Sequence, residues 1–326
     1  MSINRSINQS VNIKTNSINL EKRSIFNRII RELTINKYLY LMALPVLAYY
    51  LFFHYGPMYG AQIAFKKYDI AKGVWGSPWV GFKYFKEFFQ SYYFWRLIRN
   101  TFLLSFYQLL WGFPAPIIFA LLLNEINNQK FKRAIQTATY LPHFISTVVV
   151  CGLIRNFFAR EGIITSIYTF FGGESINFLA HPEYFRAIYV STGIWQQMGW
   201  GAIVYLAALS GIDVQLYEAA IIDGAGRFKQ LIHVTLPGIM PTIVIMFILR
   251  IGQMMSIGFE KIILLYNPNT YETADVISTF VYRKGLGESF EFSYTSAVGL
   301  FNSAINFILL VSANWFSKKV SDTSLW

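Results

Sequence analysis

The residues most able to do chemistry in this sequence are polar side chains inside long apolar runs. In the run Ile188–Leu209, Gln196 and Trp200 are four residues apart, so they share one face of a helix. Trp200 lies about 12 residues into the run, roughly 18 Å along a helix, which is too deep for an aromatic belt at a membrane surface. An indole ring beside an amide suits a sugar, because the ring stacks on C–H groups while the amide bonds to hydroxyls.

Four further polar side chains lie in the later apolar runs: Arg250, Gln253, Asn302 and Asn306. An arginine inside a membrane is costly, so we expect Arg250 to line a path, to pair with a carboxylate of a sister subunit or to reach outward to the membrane surface. The amides have an alternative role, because buried Gln and Asn often hold membrane helices together. The sequence therefore predicts a substrate path along these residues and leaves the packing role open.

A polar segment over residues 211–237 separates two of the apolar runs. Asp213 is a good N-cap for a helix over Val214–Ile222, since its carboxylate accepts hydrogen bonds from free N–H groups of the first turn. Gly224 is expected to end that helix, because glycine tolerates the left-handed conformation. A second short helix is predicted over Arg227–His233, before the next apolar run. The small side chains of this segment would let another protein approach closely.

The spacing inside this segment resembles a known family. Glu218-Ala219-Ala220, followed by Asp223-Gly224-Ala225 and Leu236-Pro237, is similar to the EAA loop in membrane subunits of binding-protein-dependent ABC importers, in the form typical of the carbohydrate-uptake, oligosaccharide-type branch. In that family the loop docks on a separate ATPase. The residues that the resemblance assigns to this coupling contact are Glu218, Ala219, Ala220, Asp223, Gly224, Arg227 and Pro237.

The resemblance extends over most of the chain after its N-terminal tail. The other matching segments are Pro57–Phe65, Ser77–Phe82, Arg99-Asn100-Thr101, Leu121–Glu125, Tyr140–Ser146, Tyr205–Leu209, Phe259-Glu260-Lys261 and Tyr266-Asn267-Pro268. The resemblance implies an all-α integral membrane protein, a polytopic helical bundle with the six-span core of a type I ABC importer permease. It also implies the partners: a second homologous permease forming a heterodimer, two copies of an ABC ATPase, an extracellular solute-binding protein, and a di- or oligosaccharide moved into the cytoplasm.

Composition agrees with a membrane protein. Hydrophobic residues make up 54% of the 326-residue chain and charged residues only 14%, with 30 Phe, 21 Tyr and 8 Trp, which fits aromatic belts at two interfaces. The net charge of +11 fits cytoplasmic flanks beside anionic lipid, and no basic domain with a nucleic-acid motif stands apart from the apolar runs. The single cysteine, Cys151, excludes a disulfide framework, and the scattered histidines predict no metal site.

Apolar runs and polar flanks divide the chain. Residues 1–23 are predicted to form a disordered cytoplasmic tail, and residues 24–37 an amphipathic interfacial segment. Residues 38–316 form the predicted transmembrane permease domain, and residues 317–326 a cytoplasmic C-terminal tail. The predicted spans are Tyr38–Tyr55, Thr101–Leu123, Ala134–Phe158, Ile188–Leu209, Gly238–Ile257 and Ser293–Phe316.

Basic residues around the first span orient the chain. Those before it are Lys22, Arg23, Arg28, Arg31 and Lys37, and those that follow nearby are Lys66, Lys67 and Lys72. Because positive charge near the first span favours the cytoplasmic side, the N-terminus is expected inside. Six spans then return the C-terminus to the inside and put the 211–237 loop in the cytoplasm. The predicted location is the bacterial plasma membrane, as a multi-pass protein.

The sequence predicts no catalytic site. It has no G-x-x-x-x-G-K-[ST] phosphate cradle, so the implied ATPase must be a separate polypeptide that uses ATP and Mg²⁺, while this chain binds no cofactor. One alternative is a secondary sugar transporter, which would need a coupling-ion site and commonly an internal repeat; no clear repeat is visible. Another is a polytopic protein without an ATPase partner, in which residues 211–237 merely join two spans. A membrane transferase would need clustered carboxylates or histidines, and none cluster in the sequence.

Overall fold

The structure, a computed structural model, describes residues 30–287 and 289–320. These residues form helices joined by turns, and one isolated antiparallel bridge joins Lys66 to Trp79. The predicted tail over residues 1–23, residues 24–29 of the predicted amphipathic segment and residues 321–326 lie outside the described residues. Residues 30–35, the remainder of that segment before the first long helix, are helical.

The helices, in chain order, are α1 (Lys37–Phe65), α2 (Gly73–Gly76), α3 (Lys83–Gln90), α4 (Phe94–Asn124), α5 (Gln129–Tyr140), α6 (Thr147–Phe157), α7 (Ile163–Phe170), α8 (Pro182–Ser210), α9 (Val214–Ile222), α10 (Arg227–Gly252), α11 (Phe259–Leu265), α12 (Tyr271–Ala274), α13 (Ile277–Tyr282) and α14 (Phe292–Val320). Of these, α1, α4, α10 and α14 are long and apolar enough to cross a membrane. Two bent pairs pass the same test together: Gln129–Phe144 with α6, bent by 101°, and α8 with α9, bent by 70°. The described part of the chain therefore supplies four spans, or up to six if each bent pair is one span. The prediction of an all-α, polytopic protein is confirmed.

Contacts divide the chain into residues 1–62 and residues 63–326. In the first unit, α1 leaves most of its side chains exposed. The helix continues past Pro57 to Phe65, although the predicted first span ends at Tyr55. A π-helical turn over Tyr50–Tyr55 directly precedes the proline, and such a wide turn accommodates a residue that has no N–H to donate.

In the second unit, α8 is the central helix and packs on α4, α5, α10 and α12. Close contact with α4 and α10 is made by a buried cluster that includes Ala120, Ala202 and Ile239. Small residues at such contacts let helix backbones approach, which is how membrane helices gain packing without a hydrophobic driving force between them. The position of α8 matters because it carries Gln196 and Trp200.

The third predicted span, Ala134–Phe158, is not one helix. It is broken into α5 and α6 by a turn that includes Pro142 and Ser146. Ser146 has extended backbone dihedrals, and its hydroxyl accepts a hydrogen bond from the Val149 N–H at 3.4 Å, so it begins a new helix. The prediction missed this N-cap because the apolar pattern continues across it.

The second half of the polar loop also differs from the prediction. The predicted short helix Arg227–His233 and the fifth span are one continuous helix, α10, with a π-helical turn over Leu231–Thr235 before Pro237. That wide turn again accommodates the missing N–H of the proline. The span ends at Gly252 instead of Ile257, so residues 253–258 form a non-helical segment before α11.

The sixth predicted span continues beyond its expected end. Helix α14 runs from Phe292 to Val320, so the first residues assigned to the C-terminal tail belong to the helix. Lys318 and Lys319 lie in its last turn, where a positive charge is favoured by the helix dipole. The two lysines are therefore compatible with a helix, although the apolar pattern predicted that the helix would end before them.

Candidate coupling loop and substrate path

Helix α9 begins and ends as its sequence predicts. The Asp213 carboxylate accepts a hydrogen bond from the Gln215 N–H at 2.9 Å, which caps the first turn. At the other end Gly224 has φ +72°, where a Cβ would be penalised. The Gly224 N–H donates to Ile221 O at 3.0 Å, and the Ala225 N–H to Ala220 O at 2.8 Å. This is the Schellman pattern, which satisfies carbonyls that the helix end would leave unbonded.

The surface of this loop is apolar and open. The side chains of Ile222 and Phe228 are 86% and 73% exposed, and Leu216 and Ile221 are also exposed. Glu218 is exposed as well, and among the described residues it forms no ion pair. Exposed apolar patches of this kind are typical of surfaces that contact another protein or a membrane.

Hydrogen bonds attach α9 to the start of α10. The Tyr217 hydroxyl lies 3.0 Å from Thr235 Oγ1, and Gln230 Nε2 donates to Ala225 O at 2.8 Å. A guanidinium nitrogen of Arg227 lies 3.8 Å from a carboxylate oxygen of Glu125, which directly follows α4, but both side chains are exposed, so this pair adds little stability. The loop is thus joined to the continuous helix α10, so that a push on α9 is transmitted to a membrane span.

The seven predicted coupling residues lie in three local environments. Glu218, Ala219 and Ala220 are in α9, and Asp223 and Gly224 form its C-terminal cap. Arg227 begins α10, and Pro237 lies inside α10 after the π-helical turn, not in the open part of the loop.

Trp200, on α8, lies against the turn that breaks the third span. Its ring stacks on His143 with centroids 4.5 Å apart and planes 3° apart, and Phe144 meets it edge-on at 5.4 Å. Trp200 remains 42% exposed, and His143 Nδ1 lies 3.0 Å from Gln197 Oε1. The residues that support Trp200, His143 and Gln197, were not among the predicted path residues. The available sequence signal for Gln197 was its position directly after Gln196.

Gln196 does not accompany Trp200 on the open surface. It is only 8% exposed, and its Nε2 donates to Ile145 O at 3.5 Å, across the contact between α8 and the α5–α6 turn. Next to it, a Cβ on Gly199 would overlap the backbone of Thr139, so this contact requires glycine. For Gln196 the geometry favours the packing role over the path.

The other predicted path residues meet around the end of α10. Asn306 accepts a hydrogen bond from the Met255 N–H at 2.8 Å and donates to Ser256 Oγ at 2.7 Å, and so holds the non-helical segment 253–258. Asn302 has a buried Oδ1 with no hydrogen-bond partner among the described residues. Arg250 and Gln253 line a cavity of about 80 Å³. The structure therefore brings Arg250, Gln253 and Asn306 to one region, and leaves Trp200 and Gln196 at another.

The comparisons with known proteins indicate the family that the sequence of the loop predicts. Residues 91–322, which include the whole coupling loop, match the family described as binding-protein-dependent transport system inner membrane component. The chain belongs to this family. The family predicted from the EAA loop is therefore confirmed, and the chain is a multi-pass membrane component of a transport system.

Three similar proteins illustrate this membership. Protein LplB of Bacillus subtilis (strain 168) is 46% identical over 292 residues, which are 89% of this chain and 92% of LplB. The polygalacturonan/rhamnogalacturonan transport system permease protein YteP of the same organism is 44% identical over 307 residues, 94% of each chain. A solved bacterial ABC transporter involved in the import of the acidic polysaccharide alginate matches with TM-score 0.83 and 42% identity, covering 90% of this chain and 99% of that chain. That kind of transporter has also been solved with an alginate pentasaccharide-bound periplasmic protein.

A buried charge network in this transport subunit was missed by the sequence analysis. Asp275, with no exposed surface, accepts hydrogen bonds from Arg283 at 2.8 and 3.2 Å, from Arg96 at 3.1 Å and from Thr279 at 3.0 Å. Burial would lower the pKa of the Arg283 guanidinium, but the hydrogen bond and the charge of Asp275 outweigh it and raise that pKa. The network anchors the segment after α11 to α4. Nothing in the spacing of an isolated aspartate reveals these partners.

A second buried cation in the same segment has no carboxylate partner among the described residues. Lys261 of α11 donates to Thr192 Oγ1 at 2.8 Å and to Tyr189 O at 3.3 Å, and lies 5.1 Å above the Tyr189 ring. Burial lowers the pKa of Lys261 to about 8. This lysine belongs to the Phe259-Glu260-Lys261 stretch that resembles the family, and its side chain packs against α8.

Proposed function

We propose that this chain is one of two homologous permeases in an ABC importer that moves an oligosaccharide into the cytoplasm. Its partners are a second permease that completes a heterodimer, two copies of an ATPase that bind ATP and Mg²⁺, and an extracellular solute-binding protein that delivers the sugar. The observation that carries the coupling part is the open apolar surface of α9, joined by hydrogen bonds to the span α10. Relatives named for carbohydrate transport support the cargo.

Coupling requires a contact surface and a rigid connection. The contact surface is the exposed set around Ile222 and Phe228, with the carboxylate of Glu218, which forms no ion pair among the described residues, on the same loop. The connection is the Tyr217–Thr235 hydrogen bond together with the unbroken α10. Closure of two ATPase subunits would then move α9 and tilt α10, and the motion would reach the end of α10 at Gly252.

Gly224 gives the sharpest test of this contact. A Cβ at this position meets no atom of the chain within 4 Å, so a new side chain would project toward a docked partner. Gly224→Asp and Gly224→Asn add side chains of equal size that both tolerate positive φ, but only Asp adds a charge. Because an unpaired charge at a covered apolar contact is costly, Gly224→Asp should weaken ATPase docking more than about tenfold, and Gly224→Asn much less.

The measurement pairs ATPase retained on affinity-purified permease with sugar-stimulated ATP hydrolysis in liposomes. Glu218→Lys should act in the same direction as Gly224→Asp, with Glu218→Gln as its uncharged control. Full retention and full stimulation in both charged variants would show that residues 211–237 do not couple the permease to an ATPase. An ATPase that never co-purifies with the unmodified permease would favour a transporter without one.

The orientation is tested with single cysteines on the two sides. Asn269 and Lys229 are both exposed in the chain, so cysteines there are reachable by a thiol reagent. With the N-terminus inside, position 269 should react with an impermeant reagent in whole cells, and position 229 only after the cells are opened. Labelling of position 229 in intact cells would reverse the topology.

Trp200 is the best candidate for contact with the sugar. Its ring stacks on His143 and contacts Phe144, and the residue is still 42% exposed. Trp200→Ala should lower uptake by a factor of about five or more, the cost of about 1 kcal/mol of lost stacking. Trp195, exposed on the same helix, is the matched control, and Trp195→Ala should change uptake less than twofold. Failure of the Trp200→Ala complex to assemble would instead assign Trp200 to helix packing.

A further inference from the structure

The non-helical segment 253–258 is held in a defined conformation by hydrogen bonds from other helices. Helix α10 ends at Gly252, although the apolar run Gly238–Ile257 predicts helix as far as Ile257. The segment after it is held from two sides: Ser105 of α4 donates to Met254 O, and Asn306 of α14 binds Met255 and Ser256. Irregular backbone at membrane depth is tolerated where it is buried in protein or lines a water-filled cavity.

A polar cavity lies at this break. Its volume is about 80 Å³, enough for about two water molecules or one carboxylate group. The polar lining residues are Ser105, Gln108, Tyr189, Arg250, Gln253 and Ser256. None of the lining residues is an aspartate or a glutamate. The cavity is therefore bordered by cationic charge without an acidic residue to balance it.

Arg250 supplies that charge. Within residues 30–287 and 289–320, its guanidinium forms no ion pair and no hydrogen bond. It lies in the last turn of α10, where the helix dipole stabilises the charge but offers no ligand for the guanidinium. Lys261 adds a second cation behind Tyr189, 5.1 Å from the ring of that residue. An unpaired arginine in a membrane is costly unless it meets water or an anion.

Gln108, which also lines the cavity, supplies a hydrogen-bond acceptor. Its Oε1 is buried and has no hydrogen-bond partner in the described part of the chain. The side chain is confined between α4 and α8, because it lies against Gly112 and Gly193. A buried acceptor without a partner costs free energy until a donor arrives, and a hydroxyl is such a donor. Arginine matches a carboxylate with two parallel hydrogen bonds.

We propose that the cavity at Arg250 is a subsite for a carboxylate of the cargo, so that the transported oligosaccharide carries uronic acid residues. The guanidinium of Arg250 receives the carboxylate, and Gln108 accepts a hydrogen bond from a hydroxyl of the same sugar unit. This inference rests on the proposed function, sugar import, and adds to it the charge of the sugar.

The test uses the complete importer in liposomes, with two probes that share one sugar backbone: a trimer of galacturonic acid, which is charged, and its fully methyl-esterified form, which is neutral. The affinity of the solute-binding protein for each probe is measured separately, so that its selectivity is not attributed to the permease. Uptake of the acid trimer should fall about tenfold or more in Arg250→Gln, because hydrogen bonds to charged groups are the strong ones. Arg250→Lys, which keeps the charge but loses the planar fork, should fall less.

Arg155 provides the matched control. It is also an exposed arginine in the last turn of a membrane helix, α6, and it does not line the cavity. Arg155→Gln should leave uptake of the acid trimer within twofold of the unmodified importer. Retention of the partner permease on each purified variant is measured in parallel.

Three outcomes would overturn the subsite. Equal loss of acid and ester uptake in Arg250→Gln would make Arg250 a general path residue. Loss of the partner permease from Arg250→Gln would show that a carboxylate of that subunit is the ligand. Transport of neutral oligosaccharides with no transport of the acid trimer by the unmodified importer would reject an acidic cargo while sugar import stands. If no saccharide of either kind is transported, the proposed function itself fails.

Discussion

The loop over residues 211–237 and the stretch between α10 and α14 both connect membrane spans, but they are built in opposite ways. In the loop over residues 211–237, large apolar side chains such as Ile222 face outward, and a small number of hydrogen bonds connect α9 to α10. In the segment over residues 258–291, Ile262, Val276 and Ile277 are fully buried, and the buried carboxylate of Asp275 is bound by two arginines.

The difference indicates where each region finds its partner. The later segment buries the carboxylate of Asp275 and the side chains of Ile262, Val276 and Ile277 within its own chain, so it is a fixed part of the fold. The loop leaves its apolar groups uncovered, so it is stabilised by its own caps, and under the proposed function an ATPase would cover it. Removing one interaction should therefore be costly for folding in residues 258–291, and should affect mainly local order in residues 211–237.

The largest effect is expected from Asp275→Asn. This change leaves Arg96 and Arg283 without their carboxylate, and breaking a buried ion pair costs about 3–5 kcal/mol. The thermal unfolding midpoint of the detergent-solubilised protein should fall by several degrees. The control is Glu87→Gln, which removes an exposed pair with Lys83 at 3.7 Å and should change the midpoint little. Equal shifts in the two variants would remove the contrast between the buried network and the surface.

A smaller effect is expected from the titration of Lys261. Burial lowers its pKa from 10.5 to about 8 in the folded protein, so the folded state releases this proton first as pH rises. Below pH 8 both states hold the proton, and the full burial cost is present. Stability should therefore rise between about pH 8 and 10.5, by about 3 kcal/mol.

Lys261→Met should remove this rise, while Lys86→Met, at an exposed position, should preserve it. The measurement is the unfolding midpoint against pH for the three proteins. The neighbouring ionisable groups Tyr189 and Cys151 are present in all of them, so they do not account for a difference. A rise that persists in Lys261→Met would assign the pH dependence to another group.

The smallest effect is expected from Tyr217→Phe in the coupling loop. It removes the hydrogen bond to Thr235, worth about 1 kcal/mol, without changing the ring. Hydrogen exchange should become faster across α9 while the global unfolding midpoint stays within about a degree. Tyr92→Phe, at a highly exposed tyrosine, should alter neither. A large drop in the midpoint for Tyr217→Phe would mean that the loop is as integral to the fold as the Asp275 network.

Local chemistry made the coupling helix predictable. Asp213 and Gly224 set its two ends through a cap and a left-handed residue, and both act within four residues of the helix they bound. The break between α5 and α6 and the early end of α10 were not predicted. Both lie in runs where the apolar pattern continues, and both are held by contacts with distant residues, such as Asn306 on Met255.

The candidate path shows the same division. The sequence could select Gln196 and Trp200 by their spacing on one helix, but the spacing does not say which of them faces a neighbouring helix. Only the tertiary structure shows that Gln196 is buried where α8 packs closely, with Gly199 against Thr139, and that Trp200 is exposed. The polar cluster around Asp275 had no local signature, because its members are up to 187 residues apart, from Arg96 to Arg283.

The sequence by itself determined the membrane class, the family and the coupling helix, because these depend on apolar length, on a spaced motif and on turn chemistry within a few residues. The tertiary structure decided where spans break, which polar side chains meet, and that Arg250 and Gln108 lie at one cavity. In the part of the chain that the structure describes, the guanidinium of Arg250 and Oε1 of Gln108 have no partner. The physical reason is the range of the interactions involved. Caps and helix periodicity act along the chain, whereas desolvation and hydrogen bonding of buried polar groups depend on helices brought together from distant parts of it.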